Sequence, residues 1–256
     1  MQKVLILSDV HEPHADRRSQ SLIIRFISDF KPDLLIVNGD LIDFYQLSPF
    51  DRDPARRMLL SDDITLANLY LDHLQKAMPR LSKKVFIEGN HEDRLRRYLW
   101  RQAPELYDVP GNTIQDMLHL EERKWGYVPY YNAVEESGAP GYEIGGILVM
   151  HGTYVRKASG ASAKAHFERY HCSGVNGHTH RQGQYFFRAW GGDWTWAESG
   201  CMCSLEPPYS PSPDWQQGAI AGYIWDAQDC DGPRVELNFV TIRNGALSFG
   251  GKLYSE

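Results

Sequence analysis

Three apolar runs in the first part of the sequence constrain the fold more than any other feature. KVLILSD, DLLIVNGD and KVFIEGN are apolar throughout rather than alternating, which predicts strands that are buried on both faces of a sheet. Between them, residues 21–30 and 64–77 have the apolar spacing of helices. This strand–helix order predicts a largely parallel sheet with right-handed crossover connections.

The pattern changes after about residue 126. GYEIGGILVMHG predicts a hairpin that turns at Gly145-Gly146, and SAKAHFERY predicts a helix that leads into the strand SGVNG. From Gln184 onward, short strands and turns predict antiparallel pairing. Because no linker or repeat interrupts the chain, we expect a single α/β domain over residues 1–256. Residues 44–82 contain a candidate cap, in which Phe44 and Phe50 are candidates to line a substrate cleft.

The composition is that of an ordinary globular protein, with 42% hydrophobic and 23% charged residues. A net charge of −6 argues against a general electrostatic attraction to nucleic acid, although local basic patches survive such averaging. The four cysteines form no CxxC pair, so neither a zinc knuckle nor a disulfide framework is predicted. The opening MQKVLILSD lacks a signal-peptide pattern, and no apolar stretch is long enough to span a bilayer. We therefore expect a cytoplasmic protein.

Every predicted strand ends in side chains that can bind metals, and open α/β sheets bind ligands at the carboxyl ends of their strands. Two of these residues, His178 and His180, are one residue apart, and an extended backbone would direct both rings to one side. The donors mix oxygen with imidazole nitrogen and include no thiolate, which suits manganese, iron, zinc or nickel. Seven donors are too many for one ion, whereas two ions sharing a carboxylate would use them all. The candidate ligands are Asp9, His11, Asp40, Asn90, His151, His178 and His180.

Five short motifs that follow these strands form an ordered set. They are Asp9-Val10-His11, Gly39-Asp40-Leu41-Ile42-Asp43, Gly89-Asn90-His91-Glu92, His151-Gly152 and Gly177-His178-Thr179-His180. Together they resemble the signature of the calcineurin-like metallophosphoesterase superfamily. The resemblance implies a four-layer αββα sandwich, in which two mixed β-sheets are flanked by helices. It also implies two ions bridged by Asp40, one held by Asp9, His11, Asp40 and His180 and the other by Asp40, Asn90, His151 and His178.

A member of this superfamily would hydrolyse phosphate esters with a hydroxide that bridges the two ions. Manganese is favoured for both ions, with iron, zinc or nickel as alternatives. His91 is the candidate acid that protonates the leaving group, and Asp43 would orient its imidazole. Arg94 is a candidate phosphate-binding residue, although an ordinary helix-surface arginine explains it equally well. His14 is a candidate substrate-facing residue, although a turn histidine is the simpler interpretation.

The substrate is less constrained than the chemistry. In RLRRYLWRQ, arginines interleave with Tyr98 and Trp100, which favours a phosphodiesterase or nuclease acting on nucleic acid or nucleotides. An ordinary amphipathic helix is the simpler explanation of the same pattern. A phosphomonoesterase acting on phosphoproteins or small molecules is the alternative; the GNHE motif favours it, but Phe44-Tyr45 stand where phosphoprotein phosphatases continue with Arg-Gly. A non-catalytic scaffold with this fold is a distant third, because such a protein should lack metal ligands and none is missing here.

Overall fold

The computed structural model describes residues 1–53, 55, 57–130, 140–207, 212–225 and 234–255. Within these ranges, two β-sheets lie face to face and helices cover the outer face of each sheet. Both sheets contain parallel and antiparallel pairs. The predicted four-layer αββα sandwich of two mixed sheets is therefore confirmed.

The larger sheet has eight strands among the described residues. They are β1 Gln2–Leu7, β2 Leu34–Asn38, β3 Lys83–Ile87, β4 Gly126–Val128, β10 Gln217–Trp225, β11 Arg234–Arg243, β12 Ala246–Phe249 and β13 Lys252–Ser255. Their order across the sheet is β13-β12-β11-β10-β1-β2-β3-β4. The pairs from β1 to β4 are parallel, as the apolar runs predict, and the last four strands add to the other side of β1 by antiparallel pairing.

The smaller sheet has five strands in the described part of the chain. They are β5 Tyr142–Ile144, β6 Ile147–Met150, β7 Ser173–Asn176, β8 Gln182–Ala189 and β9 Gly192–Ser199. Their order is β5-β6-β7-β9-β8, and β5 and β6 form the hairpin predicted around Gly145-Gly146. The antiparallel prediction from Gln184 onward is confirmed, since β8 with β9, β10 with β11, β11 with β12 and β12 with β13 all pair antiparallel. On its other side, β9 runs parallel to β7, which precedes this range. The reason is that β8 lies at the sheet edge, so its hairpin partner β9 returns beside β7 in the direction of that strand.

Helices occupy the two outer layers. They are α1 Arg17–Phe30, α2 Leu60–Ala77, α3 Asp93–Gln102, α4 Ile114–Met117 and α5 Ala161–Tyr170, with short 3₁₀ turns at Tyr45–Leu47 and Pro104–Leu106. α1 begins four residues earlier than its apolar spacing predicts, because the Asp16 side chain caps it by accepting a hydrogen bond from the Ser19 N–H. None of the described helices combines the length and apolar character needed to span a bilayer.

Alternation along β1 explains how one strand serves two cores. Val4 and Ile6 face the smaller sheet and join the core between the sheets. Leu5 and Leu7 point the other way, into the core shared with α1 and α2. All four side chains are fully buried. Burial of both faces of β1 is therefore the physical reason for its continuous apolar sequence.

The range predicted as a cap divides into two parts. Its second part is α2, whose Ala67, Leu71 and Leu74 are fully buried in the same core as α1. α2 is thus the crossover helix between β2 and β3 rather than part of a cap, and a cap stays a prediction for residues 44–59 alone. Phe44 is wrongly predicted to line a cleft, since its backbone turns it into the core, whereas Phe50 is 75% exposed.

Candidate metal centre

The carboxyl ends of five strands meet at one edge of the sandwich. The motif loops follow β1, β2 and β3 of the larger sheet and β6 and β7 of the smaller one. The structure brings together there all the residues predicted as ligands, as catalytic residues and as substrate-binding residues: Asp9, His11, His14, Asp40, Asp43, Asn90, His91, Arg94, His151, His178 and His180.

The backbone of these loops is bent in an unusual way. Asp9, His11, Asp40, His178 and His180 all have φ between 52° and 67°, in the left-handed region. These five are among only twelve such non-glycine residues in the described part of the chain. Each costs about 1–3 kcal/mol, and such strain concentrates where side chains are held for a function. The concentration of strained backbone at this edge therefore supports its interpretation as a candidate functional site.

His178 and His180 do not converge in the predicted manner. The prediction assumed an extended backbone, but strand β7 ends at Asn176, and φ values of 67° and 58° turn the two residues apart. His178 lies beside His151, with ring centroids 5.3 Å apart, whereas His180 lies beside His11 with centroids 4.9 Å apart. The two rings thus belong to two different groups of donors.

The first group consists of Asp9, His11 and His180, all buried. His180 Nε2 lies 3.1 Å from Asp9 Oδ1, and His11 Nε2 lies 3.9 Å from the same oxygen. The two Nε2 atoms are only 3.0 Å apart. Three donor atoms on two loops and two sheets thus point at one small volume.

The second group consists of Asp40, His151 and His178, with the Asn90 amide beside them. His151 Nε2 lies 3.3 Å from Asp40 Oδ2 and 3.0 Å from Asn90 Oδ1. Asp40 Oδ2 also lies 3.7 Å from His11 Nε2, so this carboxylate stands between the two groups.

Two glycines make room for Asp40. A Cβ atom on Gly39, which has φ of +80°, would lie 2.5 Å from His151 Nδ1. A Cβ atom on Gly89 would overlap the Asp40 carboxylate itself. The glycines of the G-D-x-x-D and G-N-H-E motifs are therefore needed for the close approach of β2, β3 and β6 loops.

The far nitrogens of two histidines have oxygen partners that only accept hydrogen bonds. His11 Nδ1 lies 3.0 Å from Asp43 Oδ1, and His151 Nδ1 lies 2.9 Å from the Asn38 carbonyl oxygen. Each Nδ1 must therefore donate, which leaves the Nε2 lone pair of a neutral ring facing inward. This is the arrangement by which metal-binding histidines are usually oriented.

The ionisable side chains of the site shift one another's pKa values. Burial alone would raise the pKa of Asp9, but His180 and His11 hold it well below its usual range. Burial opposes protonation of His180 and His151, yet Asp9 and Asp40 respectively raise the pKa of each to about 9. His178 differs, since burial and the neighbouring His151 lower its pKa to about 4.

This donor set fits divalent ions. The Nε2 atoms of His11 and His180, 3.0 Å apart, cannot both point lone pairs at each other without a proton or a cation between them. Carboxylate, amide and imidazole donors are those that manganese, iron, zinc and nickel accept. Asp9, His11 and His180 would hold one ion, Asn90, His151 and His178 a second, and Asp40 both.

His91 and Asp43 lie beside the two groups. His91 Nδ1 is 2.8 Å from the Asp43 carbonyl oxygen and 3.2 Å from its Oδ1. Arg94 donates to the same carbonyl and places Nη2 2.9 Å from His91 Nε2, so it belongs to the site and not to the helix surface. His14 Nε2 lies 4.0 Å from Asp43 Oδ2. Burial lowers the pKa of His91, and Arg94 contributes in the same direction.

Two buried glutamates hold the loops, and sequence reasoning did not find their role. The Glu92 carboxylate accepts hydrogen bonds from the backbone N–H groups of Asp40, Ile42 and Gly89, tying the β2 loop to the β3 loop. The sequence suggests only a first-turn carboxylate of α3 for it. The signal that could have found it is an acid directly following a metal-ligand motif.

Glu198 plays the matching part in the smaller sheet. One carboxylate oxygen accepts from the N–H groups of Ser162 and Ala163 at the start of α5, and the other accepts from Thr179 Oγ1 at 2.7 Å. Thr179 stands between His178 and His180, so Glu198 fixes the loop that carries both rings. No local sequence pattern predicts this contact, because Glu198 is nineteen residues away from Thr179 and lies on β9.

Comparison with known families gives the class to which the protein belongs. The chain belongs to the calcineurin-like phosphoesterase family, whose model matches residues 2–194. It is 25% identical to the Gene 54 protein of Mycobacterium phage L5 and 24% identical to that of phage D29, in each case over 98% of both chains.

Solved structures of similar fold include vacuolar protein sorting 29 from Cryptosporidium parvum. It is 15% identical with a TM-score of 0.49, and the match covers 100% of this chain and 98% of that one. Wild-type Vps29 from Entamoeba histolytica, in complex with zinc, is 12% identical with a TM-score of 0.45 over 93% and 98% of the two chains.

Proposed function

We propose that this protein is a phosphoesterase that uses two divalent ions, held by the two donor groups and bridged by Asp40. The observation that carries the proposal is the geometry of Asp40: its Oδ2 lies 3.3 Å from His151 and 3.7 Å from His11, one histidine from each group. A chain that had kept this fold only as a scaffold would not need five donors in strained backbone. Manganese is the favoured metal, with iron, zinc or nickel as alternatives.

Bound ions would supply a water molecule of lowered pKa and a positive charge for the phosphoryl oxygens. The chain's own residues supply the rest. The motif loops hold both donor groups in place before substrate arrives, because Glu92 and Glu198 fix their backbones. Arg94 reaches into the site from α3, and we propose that its guanidinium turns from His91 Nε2 to a phosphate oxygen.

His91 would then deliver a proton to the leaving oxygen. Its Nδ1 stays on Asp43, whose carboxylate stabilises the protonated ring, while Nε2, released by Arg94, faces the substrate. Once Arg94 has turned away, Nε2 takes up a proton from solvent, and this proton passes to the leaving oxygen as the bond to phosphorus breaks. His91 also lies within a third set of possible donors with His11 and Asp40, so the role must be separated from metal binding by experiment.

The His91→Ala variant distinguishes a role of His91 in proton transfer from a role in metal binding. We expect turnover of esters with poor leaving groups to fall by about 10²–10⁴-fold, because they need a proton most. Esters with activated leaving groups should lose much less, and metal content should stay normal. Because burial lowers the pKa of His91, the acid form is lost at a pH below 6.5, and the advantage of the wild-type protein should shrink as the pH rises through that range. Equal loss for both kinds of ester, or loss of an ion, would remove His91 from this role.

We further propose a phosphodiester substrate of the nucleic-acid or nucleotide class. α3 leads directly away from the site, and along it Tyr98 is 41% exposed and Trp100 is 54% exposed, with Arg101 also at the surface. Exposed aromatic rings and a basic side chain beside a phosphoryl site suit the bases and backbone of a single strand. Arg97 contributes less, because it pairs with Asp93.

A parallel screen decides the substrate class. Manganese-loaded protein is offered a phosphomonoester, a bis-aryl phosphodiester, a cyclic nucleotide, and single- and double-stranded DNA and RNA. Preference for the diester and the polynucleotides supports the proposal. Preference for the monoester replaces it with a phosphatase. No turnover of any substrate by protein that binds two ions would favour the scaffold.

A further inference from the structure

Two cysteines lie against His180 on the side away from Asp9. His180 Nδ1 is 3.8 Å from Cys203 Sγ, while Nε2 of the same ring is 3.1 Å from Asp9 Oδ1. The donor atoms of His180, Cys201 and Cys203 all lie within 4.8 Å of one another. None of the three residues is more than 8% exposed. One imidazole ring thus stands between the oxygen-rich first group and a pair of thiols.

The backbone holds the two thiols in this position. Cys201 and Cys203 are two residues apart in a segment that forms isolated β-bridges to Gln217 and Ala15, so both side chains leave the same face. Met202 points to the opposite face, into the main core. Its N–H donates to the Asp9 carbonyl oxygen at 3.0 Å, which ties the segment to the first motif. The thiols are therefore placed by the main chain before any ligand binds.

Packing alone is the simpler role for buried cysteines, which usually behave as small apolar side chains. Here, however, neither sulfur belongs to the three apolar clusters formed by the described residues. Two sulfurs and one imidazole nitrogen are the donors typical of zinc, and they differ from the oxygen and nitrogen donors next door. The Cys201 thiol donates a hydrogen bond to the Gln216 carbonyl oxygen at 3.6 Å. The Trp215 ring, 4.2 Å from that of His180, covers the site.

We propose that His180, Cys201 and Cys203 bind a further, thiophilic divalent ion, with zinc as the expected occupant. His180 would be shared, giving Nδ1 to this ion and Nε2 to the first donor group. Binding through both nitrogens makes the His180 ring a bridging imidazolate, so the two thiol protons and both protons of the protonated ring pass to solvent and are replaced by coordinate bonds to the ions. Only the sharing of His180 rests on the proposed function; the thiol site itself does not need a catalytic centre next to it.

Cobalt(II) reports such a site directly, because thiolate bonded to Co²⁺ gives a charge-transfer absorption that oxygen and nitrogen donors do not. Chelator-treated, reduced full-length protein is titrated with Co²⁺ and followed by near-ultraviolet absorption and by metal analysis. We expect a thiolate band that saturates at one equivalent. Cys203→Ser and Cys201→Ser should each abolish the band and lower the bound cobalt by one equivalent. Cys172→Ser, a cysteine outside the cluster, should leave both unchanged.

Asp40→Asn separates this site from the proposed catalytic centre. It should remove cobalt from the two donor groups but keep the thiolate band, because Asp40 contacts neither cysteine in the cluster. The absence of a band in the wild-type protein at saturating Co²⁺ would overturn the proposal. So would a band that survives in both serine variants, each checked by thermal unfolding to be folded. Retention of all ions by Asp40→Asn would instead contradict the dinuclear centre.

Discussion

The two donor groups are supported by different kinds of chemistry. In the first group, the far nitrogen of His11 rests on the Asp43 carboxylate and that of His180 on the Cys203 thiol. In the second group, the far nitrogen of His151 rests on a main-chain carbonyl of β2. The support of the first group is therefore made of ionisable side chains, whereas that of the second is part of the sheet itself.

This difference indicates in which donor group side-chain substitutions can change the metal affinity. A main-chain carbonyl is common to every residue type, so no side-chain substitution changes the group that accepts the hydrogen bond of His151. A carboxylate or thiol partner changes the basicity of the imidazole it supports, and loss of a partner of this kind typically lowers metal affinity by about 10–100-fold. We therefore expect the first ion to be the adjustable one.

The largest effect should come from removing the element common to both groups. Asp40→Asn takes away the carboxylate charge that faces His11 and His151. Loss of ions that each stabilise the transition state by several kcal/mol should lower kcat by at least about 10³-fold. Metal analysis should show that both ions are lost. Loss of a single ion would assign Asp40 to one donor group and would contradict its proposed position between the two.

Asp43→Asn should affect the groups unequally. The amide still accepts a hydrogen bond from His11 Nδ1 but no longer supplies a charge, so affinity for the first ion should fall by about 10–100-fold. Affinity for the second ion should change little, because no hydrogen bond or ion pair in the described part of the chain joins His151 to Asp43. Calorimetric titration of metal-free protein resolves the two steps. A similar loss in both steps would show that the supports are not independent.

Glu198→Ala should loosen both groups through the loop they share. It leaves the Ser162 and Ala163 N–H groups and the Thr179 hydroxyl without their carboxylate, which should lower the free energy of unfolding by about 1–3 kcal/mol. Thermal unfolding of metal-free protein measures it, at about 2–4 °C per kcal/mol for a chain of this size. Glu198→Gln is the matched control, since its amide oxygen can still accept. If the alanine variant melts with the wild-type protein, Glu198 does not hold the loop.

A further effect, on the pH dependence of stability, concerns a buried carboxyl on α2. Burial raises the pKa of Asp63, on α2, to about 7, with the charge of Asp43 adding to it. Folded Asp63 therefore keeps its proton up to about pH 7, whereas the unfolded chain releases it near pH 4. Its stabilising contribution is complete below pH 4 and is lost as the pH rises towards 7.

Asp63→Asn should remove this dependence on pH. The variant should melt close to the wild-type protein at pH 4 and a few degrees above it at pH 8, where the wild-type protein carries a buried charge. His166 beside the second group differs, since burial lowers its pKa to about 4 and it is neutral in the upper part of this range. Parallel melting curves of Asp63→Asn and wild type across the range would contradict the assignment.

Much of this architecture could be predicted from sequence, because its causes are local. The continuous apolar runs of β1, β2 and β3 fix a sheet buried on both faces, and the polar residues that end them place the site at its carboxyl edge. The place of β9 beside β7 could not be predicted, since the order of strands in a sheet depends on long-range packing.

The same division holds for the site. The motifs identify the residues that come together, but His178 and His180 separate because their backbones are left-handed. Histidine adopts this conformation more often than most residues, yet too rarely for the sequence to show at which positions it does so. The contacts that Glu198 and Cys203 make with motif residues could not be predicted, for a related reason. Each acts on a motif residue from a distant part of the chain, so only the folded structure shows the contact.

A crystal structure of manganese-loaded protein, with anomalous diffraction recorded at the metal edge, tests the central claim most directly. It should show two peaks on either side of the Asp40 carboxylate, one in contact with Asp9, His11 and His180 and the other with Asn90, His151 and His178. A single peak, or two peaks that do not share Asp40, would contradict the proposed centre.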